Sequence, residues 1–467
     1  MGPGVGDKGI PTGRYRRLAK VGRAAASSAA KQAGTKTVNV VRSEEASTAA
    51  LEKRHVETAE QIVEVLGTMK GAAMKLGQVL SFLDVGLVPE DHREEFQKKL
   101  AKLRDAAPKV GFKDMRKVVE QDMGEPLKES FAEFEEEPIA AASIGQVYRA
   151  KLHDGRDVAV KVQYPGVNAA VRSDMQNLGV ILRLMRRLTP QLDMQSVAQE
   201  IRARVEEELD YELEADNQRT LSRILRDHPF MVVPDVVTSM SHERVIVTEF
   251  VEGEGFESLK NEPQEERDRV GEIIFRFYFG CLYRYRRFSG DPHPGNLIRL
   301  ADGRVAFLDF GLFKHVEQPV VELELACQRA VVEGDEVELH RLLTEARFIP
   351  QPEKLDPADL MAYVVDSIGW YTVMDKPVTL TSEIAAKAAL EGADPRSSHY
   401  STMRHQDIQS EHLLGRRMEL LTLAVLGQLH TRNNWHRIAR EWMYGDGPVT
   451  ELGRQEAEFL KAAGKAA

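Results

Sequence analysis

Cysteine is nearly absent from this chain of 467 residues, which has only Cys281 and Cys327 and no Cys-x-x-Cys pair. A disulfide scaffold and a cysteine-based zinc site are therefore excluded, and a reducing compartment is the expected environment. Long apolar runs are also missing, because the strongest candidate, residues 420–427, is much shorter than the roughly 18 residues that suggest a membrane-spanning helix. The N-terminus has no apolar signal core. We therefore expect a soluble chain without a secretion signal.

Basic residues are in the minority, with 63 Lys and Arg against 73 Asp and Glu and a formal net charge of −10. Nucleic-acid binding depends on a basic surface that displaces counterions, so we expect no nucleic-acid partner. The charge is unevenly spread, however. Residues 1–42 carry nine basic side chains and one acidic one, which gives +8, and the rest of the chain carries −18. The sequence thus joins a basic leader to an acidic body.

The basic leader, residues 1–43, starts with a Gly- and Pro-rich stretch and continues from Arg14 to Ala33 with an Arg- and Ala-rich pattern that predicts a helix. Three interpretations stay open: a solvated helix or tail, a helix at an anionic membrane surface, and an organellar transit peptide. The expected location is accordingly cytoplasmic, peripheral to a membrane through this leader, or organellar if the leader is a transit peptide.

The body of the chain has a globular composition, with 42% hydrophobic and 29% charged residues. Its periodicity predicts, in order, helices over about 44–103, strands at Ala142–Tyr148 and Asp157–Gln163, helices over about 171–225, two strand-like runs within 234–252, and helices after about 264 that are interrupted at 289–311. The predicted organisation is a helical extension at 44–125, a small β-rich lobe with inserted helices at 126–253, and a large helical lobe at 254–467.

Lys161 ends the apolar strand Val158-Ala-Val-Lys161. Upstream, residues 140–147 form a small-residue turn between strands, and its candidate nucleotide-binding residues are Ala140, Ala141, Ala142 and Ser143. Small side chains let backbone N–H groups approach the phosphates of a nucleotide, and the lysine would neutralise phosphate oxygens. A strand that ends in an exposed lysine is also a common structural feature, so this pattern is weak evidence by itself.

Asp291 and Asn296 lie five positions apart in Gly290-Asp-Pro-His-Pro-Gly-Asn296. That spacing matches a kinase catalytic loop, in which the aspartate handles the nucleophile and the asparagine holds metal. Thirteen positions after Asn296, a strand leads into Asp309-Phe-Gly311, the arrangement that presents an aspartate to Mg²⁺. The two motifs at this separation predict phosphoryl transfer, with Asp291 as the base or water-orienting residue and with Asn296 and Asp309 as metal ligands.

An acidic run, Glu206–Asp216, falls on the predicted inserted helix. Most of its carboxylates are expected on a solvated face. Asp210 and Glu214 are predicted to lie one turn apart on one face, and an active-site lysine needs a carboxylate partner. Glu214 is the predicted partner of Lys161, and Glu208 is the alternative.

Taken together, these segments resemble the UbiB/AarF atypical kinases of the protein-kinase-like superfamily. The resemblance extends from about residue 11 to at least Leu312, and its specificity is high because five motifs occur in the family's order. The matching segments are Lys75-Leu-Gly-Gln78 with Ser81 and Pro89 (the KxGQ motif), Ala140–Val147 (an alanine-rich loop), Val160–Val167, Glu208-Leu-Asp210 (the ExD motif) and Asp291–Asn296 (the DPHPGN loop).

The resemblance implies an α+β, bilobal protein-kinase-like fold: a small β-rich lobe with inserted helices, a large helical lobe and an N-terminal helical extension. In this family the KxGQ segment packs across the cleft where a protein kinase would receive a peptide. Lys75 and Gln78 would therefore lie near Glu208 and Asp210 in a cleft-occluding, regulatory role.

The nucleotide pocket of a kinase-like fold needs a hinge strand whose backbone faces adenine. By position, Val247–Val251 would be that strand, with Glu249 and Val251 as nucleotide-binding residues. No Ala-Pro-Glu motif follows Asp309, so peptide docking of the usual kinase kind is not expected. Family members that act in bacterial ubiquinone synthesis carry hydrophobic C-terminal spans, whereas residues 451–467 are charged and Ala-rich. Any membrane contact is therefore expected to be peripheral.

The leading hypothesis is a Mg²⁺- and ATP-dependent atypical kinase or ATPase in quinone or other isoprenoid lipid metabolism, with proteins of such a pathway as partners. One alternative is a nucleotide-gated pseudokinase scaffold. This alternative would be contradicted by ATP hydrolysis in the wild type that the Asp291→Asn variant loses. The other alternative is a small-molecule phosphotransferase, in which the KxGQ segment is not expected. The oligomeric state is not predicted.

Overall fold

The structure is a computed structural model that describes residue 61 and residues 110–142, 144–175, 178–188, 194–390, 397–407 and 410–464. The basic leader, Lys75, Gln78 and Ser143 lie outside the described residues. The helices, in chain order, are α1 (Phe112–Met123), α2 (Leu127–Ser130), α3 (Val167–Met175), α4 (Leu178–Leu188), α5 (Met194–Glu208), α6 (Tyr211–Ile224), α7 (Phe256–Leu259), α8 (Gln264–Phe275), α9 (Cys281–Tyr285), α10 (Gln318–Glu333), α11 (Glu336–Glu345), α12 (Pro357–Thr372), α13 (Ser382–Leu390), α14 (Tyr400–Arg404), α15 (Ser410–Gln428), α16 (Trp435–Met443) and α17 (Glu451–Ala462).

The strands are short, and most of them lie between residues 133 and 315. They are β1 (Glu133–Phe134), β2 (Ala140–Ala141), β3 (Gly145–Lys151), β4 (Asp157–Gln163), β5 (Met231–Val232), β6 (Val245–Glu249), β7 (Glu254–Gly255), β8 (Arg287–Ser289), β9 (Leu297–Arg299), β10 (Val305–Phe307), β11 (Phe313–His315), β12 (Val378–Thr379) and β13 (Arg432–Asn433). Helices and strands therefore both contribute to the fold, which confirms the α+β class predicted from the sequence.

The chain forms two compact units. Among the described residues, the first comprises residue 61 and those within 110–119, 137–147 and 162–205, and the second comprises those within 120–136, 148–161 and 206–464. In the first unit β2 pairs with β3 in antiparallel register, with Ala140 opposite Val147. The Ala142 N–H donates to the Gly145 carbonyl at 2.9 Å and closes the turn between them. The alanine-rich segment is thus a hairpin, in agreement with the predicted small-residue turn between strands, and the strand predicted from Ala142 begins at Gly145.

A sheet with the order β1-β3-β4-β6 carries the predicted lysine strand. Side chains alternate between the two faces of a strand. Val158 and Val160 are fully buried on one face of β4, so Lys161 lies on the other face and is only partly buried. The turn before β4 places Gly155 at φ +91°, a conformation that favours glycine. Strand β4 has the bounds that the sequence predicts.

A second sheet has the order β5-β10-β9-β7, and β11 pairs separately with β8. Strand β10 is antiparallel to β9, with Phe307 opposite Leu297, and parallel to β5. The pairing of β11 with β8 places Phe313 opposite Ser289. In the sequence, β8 and β9 border the DPHPGN loop, and β10 and β11 border the segment that contains Asp309.

The strand-like run near Pro234 forms only two residues of strand β5, followed by a single bridge between Val236 and Thr248. Proline has no N–H group to donate to a ladder, so the longer strand predicted there cannot form at Pro234. The second predicted run does form a strand, β6.

The helical core of the second unit is centred on aromatic side chains of α8 and the π-helical turn that follows it, Arg276–Gly280. The Phe275 ring lies 4.6 Å from Phe279 and 5.3 Å from Trp435, measured between centroids, and it also contacts Trp370. Contacts between aromatic rings stabilise a core by more than the burial of their hydrophobic area alone. None of the helices in the described ranges has both the length and the apolar character needed to cross a membrane.

Candidate active site

Lys161 and Glu214 form a close ion pair within the second unit. The Lys161 ammonium donates to Glu214 Oε1 at 2.7 Å and to Oε2 at 2.9 Å. The Lys161 side chain is 21% exposed and that of Glu214 only 5%, so the pair lies at a partly desolvated place. The ammonium also lies 5.1 Å from the centre of the Tyr211 ring, within the range of a cation–π contact.

The surroundings of Lys161 keep it charged. Burial by itself lowers the pKa of the ammonium, but the attraction of Glu214, Asp309 and the Tyr211 oxygen outweighs burial and holds that pKa above the ordinary lysine value. A lysine in this state is a fixed positive charge at neutral pH. It can neutralise an anion, but it cannot serve as a base.

Helix α6 presents Glu214 to the lysine, and Asp210 defines where that helix begins. Asp210 has an extended backbone, and its carboxylate accepts a hydrogen bond from the Leu213 N–H at 3.1 Å, which is an N-cap. The Asp210 carbonyl accepts a hydrogen bond from the Glu214 N–H at 3.2 Å, so the two residues lie one turn apart as predicted, with Asp210 at the N-cap and Glu214 in the first turn. The acidic run is split between α5 and α6 since a capping aspartate favours a helix start at this point.

Glu208, the alternative partner of Lys161, lies at the end of α5 and is 6% exposed. Both bonds of the Lys161 ammonium described above go to Glu214 instead. Lys75 and Gln78, which are predicted to lie near Glu208 and Asp210, are outside the described ranges. The regulatory role of these four residues stays a prediction.

The DPHPGN loop and the Asp309 segment are held together at two points. The Gly290 N–H donates to the Leu312 carbonyl at 2.7 Å, and the Leu308 N–H donates to the Asn296 carbonyl at 3.1 Å. The first bond fixes the backbone beside Asp291, and the second fixes Asn296 beside the residue that precedes Asp309. The polar residues of the two predicted motifs, Asp291, Asn296 and Asp309, therefore lie in neighbouring backbone segments.

Asp309 is close to the Lys161–Glu214 pair as well. Its Oδ1 accepts a hydrogen bond from the Gly311 N–H at 2.9 Å, which fixes the carboxylate in the turn. A Cβ atom at Gly311 would lie 3.4 Å from Asp309 Oδ1 and 3.6 Å from Glu214 Oε2. Both carboxylates therefore lie beside Gly311, where a larger residue would contact them. The structure brings Lys161, Glu214 and Asp309 together.

The DPHPGN loop is stiffened by its own side chains. His293 Nδ1 accepts a hydrogen bond from the Gly295 N–H at 3.0 Å and caps the 3₁₀ turn Pro294–Asn296. Because Nδ1 is the acceptor, the neutral ring carries its proton on Nε2. Sequence reasoning assigned no role to this histidine, although its place between two prolines was a signal of a rigid turn.

Two further residues were not found from the sequence. Arg417 on α15 donates to Asp291 Oδ1 at 2.7 Å. Tyr278 lies in the π-helical turn and is 2% exposed. Burial raises the pKa of the Tyr278 hydroxyl well above its ordinary value, and the negative charges of Asp291 and Asp309 raise it further. No local sequence pattern marks either residue.

The other predicted nucleotide-binding residues have mixed positions. Ala140 and Ala141 are exposed and Ala142 is half-buried, and all three belong to the first unit. In the predicted hinge, the Glu249 N–H donates to the Asp235 carbonyl at 2.9 Å. The next amide donates to the Asp157 carbonyl. These bonds use neither the Glu249 carbonyl nor the Val251 N–H, the two groups that a hinge would offer to a base.

Asn296 and Asp309 suit a magnesium ion by their chemistry. An amide oxygen and a carboxylate are hard oxygen donors, and Mg²⁺ takes one or two protein ligands while it keeps waters or phosphate oxygens. Within the described ranges, no three His, Cys, Asp or Glu side chains are grouped so that they could hold a metal. A metal at this place would therefore depend on few protein ligands, as Mg²⁺ bound to a phosphate does.

Comparison with protein-family models shows the family to which the chain belongs. The model of the ABC1 atypical kinase-like domain matches residues 102–343, which is more than half of the chain. The chain belongs to the ABC1 atypical kinase-like family. The matched range of this kinase-like chain includes Lys161, Glu214, Asp291 and Asp309. It ends well before Arg417.

Curated relatives carry names of the kind that the sequence predicts. The chain is 26% identical over 396 residues to "Atypical kinase coq-8, mitochondrial" of Caenorhabditis elegans, a match that covers 84% of this chain and 52% of the relative. It is 33% identical over 278 residues to "Atypical kinase COQ8B, mitochondrial" of Rattus norvegicus, covering 59% and 52%. It is 32% identical over 267 residues to "AarF domain-containing protein kinase 1" of Xenopus tropicalis, covering 56% and 50%. The chain spans about half the length of these relatives. The predicted UbiB/AarF relationship is confirmed.

A solved structure is similar too. Rv3197 of Mycobacterium tuberculosis, determined as a complex with erythromycin, superposes with a TM-score of 0.60 at 29% sequence identity. The match covers 86% of this chain and 98% of that chain. Together with the family match, it confirms the protein-kinase-like fold class.

Proposed function

We propose that this chain is a Mg²⁺- and ATP-dependent atypical kinase or ATPase. The observation that supports the proposal best is the Lys161–Glu214 pair, with both carboxylate oxygens within 2.9 Å of the ammonium. Asp309 lies beside the same pair. A lysine that is paired with a helix glutamate, next to a metal-binding aspartate, is the arrangement that protein kinases need for phosphoryl transfer.

Each residue has a role that follows from its surroundings. Glu214 fixes the position of the Lys161 ammonium, which would bind phosphate oxygens. Asn296 and Asp309 would hold Mg²⁺, and the Gly311 N–H keeps the Asp309 carboxylate oriented for that purpose. Asp291 would accept the proton of the attacking hydroxyl group or orient a water molecule. Bound ATP and Mg²⁺ would supply the phosphoryl group and neutralise its charge.

The acidic character of the site makes nucleotide binding dependent on the cation. Glu214, Asp291 and Asp309 would repel a triphosphate unless a divalent ion were bound with it. We therefore expect ATP to raise the thermal unfolding midpoint of the wild-type chain only when Mg²⁺ is present, because a ligand that binds only the folded state stabilises it. The Asp309→Asn variant is expected to lose this Mg²⁺-dependent increase. Thermal shift measurements with ATP, with and without Mg²⁺, check both expectations.

Asp302→Asn is a suitable control for that measurement. Asp302 lies in the exposed turn before β10, where its carboxylate binds Arg304. Its replacement removes the same charge from the same part of the chain and should leave the nucleotide response intact. A wild-type chain without a Mg²⁺-dependent shift, or an Asp309→Asn variant with an unchanged one, would contradict the proposal.

The second part of the proposal concerns the pathway. We infer a link to quinone or other isoprenoid lipid metabolism, supported by the UbiB/AarF relationship and by the names of the COQ8-type relatives. Deletion of the gene from its source organism is expected to change the quinone or isoprenoid lipid profile, measured by mass spectrometry. The wild-type gene should restore that profile, whereas Asp309→Asn should not. Restoration by both genes would show that the pathway role does not need the proposed metal ligand.

A further inference from the structure

Helix α15 reaches the DPHPGN loop from far along the chain. Arg417 donates through Nε to the Gly290 carbonyl at 3.0 Å and through Nη2 to Asp291 Oδ1 at 2.7 Å. Its side chain is 6% exposed and that of Asp291 is 14% exposed. One planar guanidinium group thus binds the backbone and the side chain of two consecutive loop residues.

A second side chain of the same helix packs closely against the loop. A Cβ atom at Gly290 would lie 2.5 Å from side-chain atoms of Leu414, one turn before Arg417. Only glycine fits at position 290 unless the leucine moves. The contact between α15 and the loop is therefore made by an ion pair and by close packing, and the two interactions support each other.

The geometry of Arg417 restricts how Asp291 can turn. The other hydrogen bond found beside Asp291, from its N–H to Ser289 Oγ, is long at 3.4 Å and leaves the carboxylate unrestrained. The planar guanidinium is a fixed fork of donors, so it holds Asp291 Oδ1 at a set position relative to the Gly290 carbonyl. A lysine can supply the charge but not the fork.

We propose that Arg417 is a positioning residue that orients the Asp291 carboxylate toward the attacking group, and that α15 is therefore part of the active site. This inference rests on the proposed function, in which Asp291 handles the nucleophile. It extends the site beyond residue 343, where the match to the family domain ends. A misplacement of a reacting group by about 1 Å can cost about 10²-fold in rate.

The neighbouring Arg416 provides a matched comparison. It lies on the same helix and also pairs with a carboxylate, because its Nη1 donates to Glu419 at 3.0 Å. The partner of Arg416 is on α15 itself, so this pair does not connect the helix to the loop. Replacement of either arginine removes one guanidinium group and one ion pair from α15, but only one of the replacements releases Asp291.

The test compares Arg417→Met, Arg417→Lys, Arg417→Ala and Arg416→Met with the wild-type chain. ATP turnover and the Kd of Mg²⁺–ATP are measured separately for each protein. Arg417→Met is expected to lower kcat by about 10²-fold while the Kd stays close to the wild-type value. Arg417→Lys should recover only part of the loss, and Arg416→Met should turn over like the wild type. Added ethylguanidinium should partly restore turnover in Arg417→Ala, a response that a purely structural defect would not give.

The outcomes separate the two levels of the proposal. A wild-type chain that neither binds nor hydrolyses ATP rejects the proposed function and the role of Arg417 with it. An active wild type with a fully active Arg417→Met variant rejects the role of Arg417 alone. If Arg417→Met does not fold, the folded Arg417→Lys variant decides: unchanged kcat rejects the inference, and reduced kcat with unchanged Kd supports it.

Discussion

Replacing Arg276 with methionine is expected to lower the free energy of unfolding of the second unit by about 3–5 kcal/mol, because three buried carboxylates would lose their shared counter-charge and keep Arg284 beside two of them. Arg276 has no exposed surface and binds three glutamates, each with a shortest contact of 2.7 Å: Glu272, Glu441 and Glu456. These glutamates are themselves almost fully buried. Removal of Arg276 would leave three negative charges close together, with Arg284, 3.2 Å from Glu441 and 3.6 Å from Glu456, as a remaining cation.

The network joins parts of the chain that are far apart in sequence. Glu272 is on α8, Glu441 on α16 and Glu456 on α17, and Arg276 begins the π-helical turn after α8. Burial lowers the pKa of the guanidinium, but the hydrogen bond and charge of Glu441 and the charges of the other two glutamates outweigh it and raise that pKa above its ordinary value. The arginine therefore stays charged at any pH at which the protein is folded.

Chemical denaturation of Arg276→Met, followed by helical circular dichroism, measures this effect. The control is Arg341→Met, since Arg341 also pairs with two glutamates, Glu338 and Glu345, but lies on the exposed surface of α11. Exposed ion pairs contribute little, so the control should unfold like the wild type. Equal unfolding midpoints for Arg276→Met and the wild type would show that the three carboxylates find other partners or bind protons at little cost.

The candidate site could be predicted from the sequence where its chemistry is local. Asp291 and Asn296 are five positions apart, and the turn at Asp309 needs only the next two residues. The apolar run that contains Lys161 predicts a strand at Asp157–Gln163, and the structure has the same strand as β4. Patterns of this length carry their own geometry, so no knowledge of the tertiary structure was needed.

The remaining parts of the site depend on pairings that no local pattern records. Arg417 and Asp291 are 126 positions apart, and Arg276 is 180 positions from Glu456. An arginine on an amphipathic helix has the same appearance in sequence whether it faces solvent or a buried carboxylate. The choice between Glu208 and Glu214 was open for a related reason, since it depends on the break at Asp210 that separates α5 from α6.

Replacement of both members of the Lys161–Glu214 pair should separate the effect on stability from the effect on activity. Under the proposed function, Lys161→Met is expected to lower ATP turnover by about 10²-fold or more, because the charge proposed to bind phosphate oxygens is lost. It should also lower the free energy of unfolding by up to about 3 kcal/mol, because Glu214 becomes a buried charge without its partner. In the double variant Lys161→Met/Glu214→Leu the uncompensated charge is gone, so most of the stability should return while turnover stays low. A double variant as unstable as Lys161→Met would contradict the electrostatic explanation.

The pH dependence of the same variants tests the charge of Lys161. Because the folded pKa of Lys161 is raised above the unfolded value, the ion pair contributes its full stability below the unfolded pKa of about 10.4. That contribution declines only as the pH rises from the unfolded value toward the higher folded one. The difference in stability between the wild type and Lys161→Met should therefore be constant from about pH 6 to 9 and shrink only in stronger alkali. A difference that already decreases near neutral pH would mean that the lysine loses its proton there, and Lys161 could not then act as a fixed positive charge for phosphate.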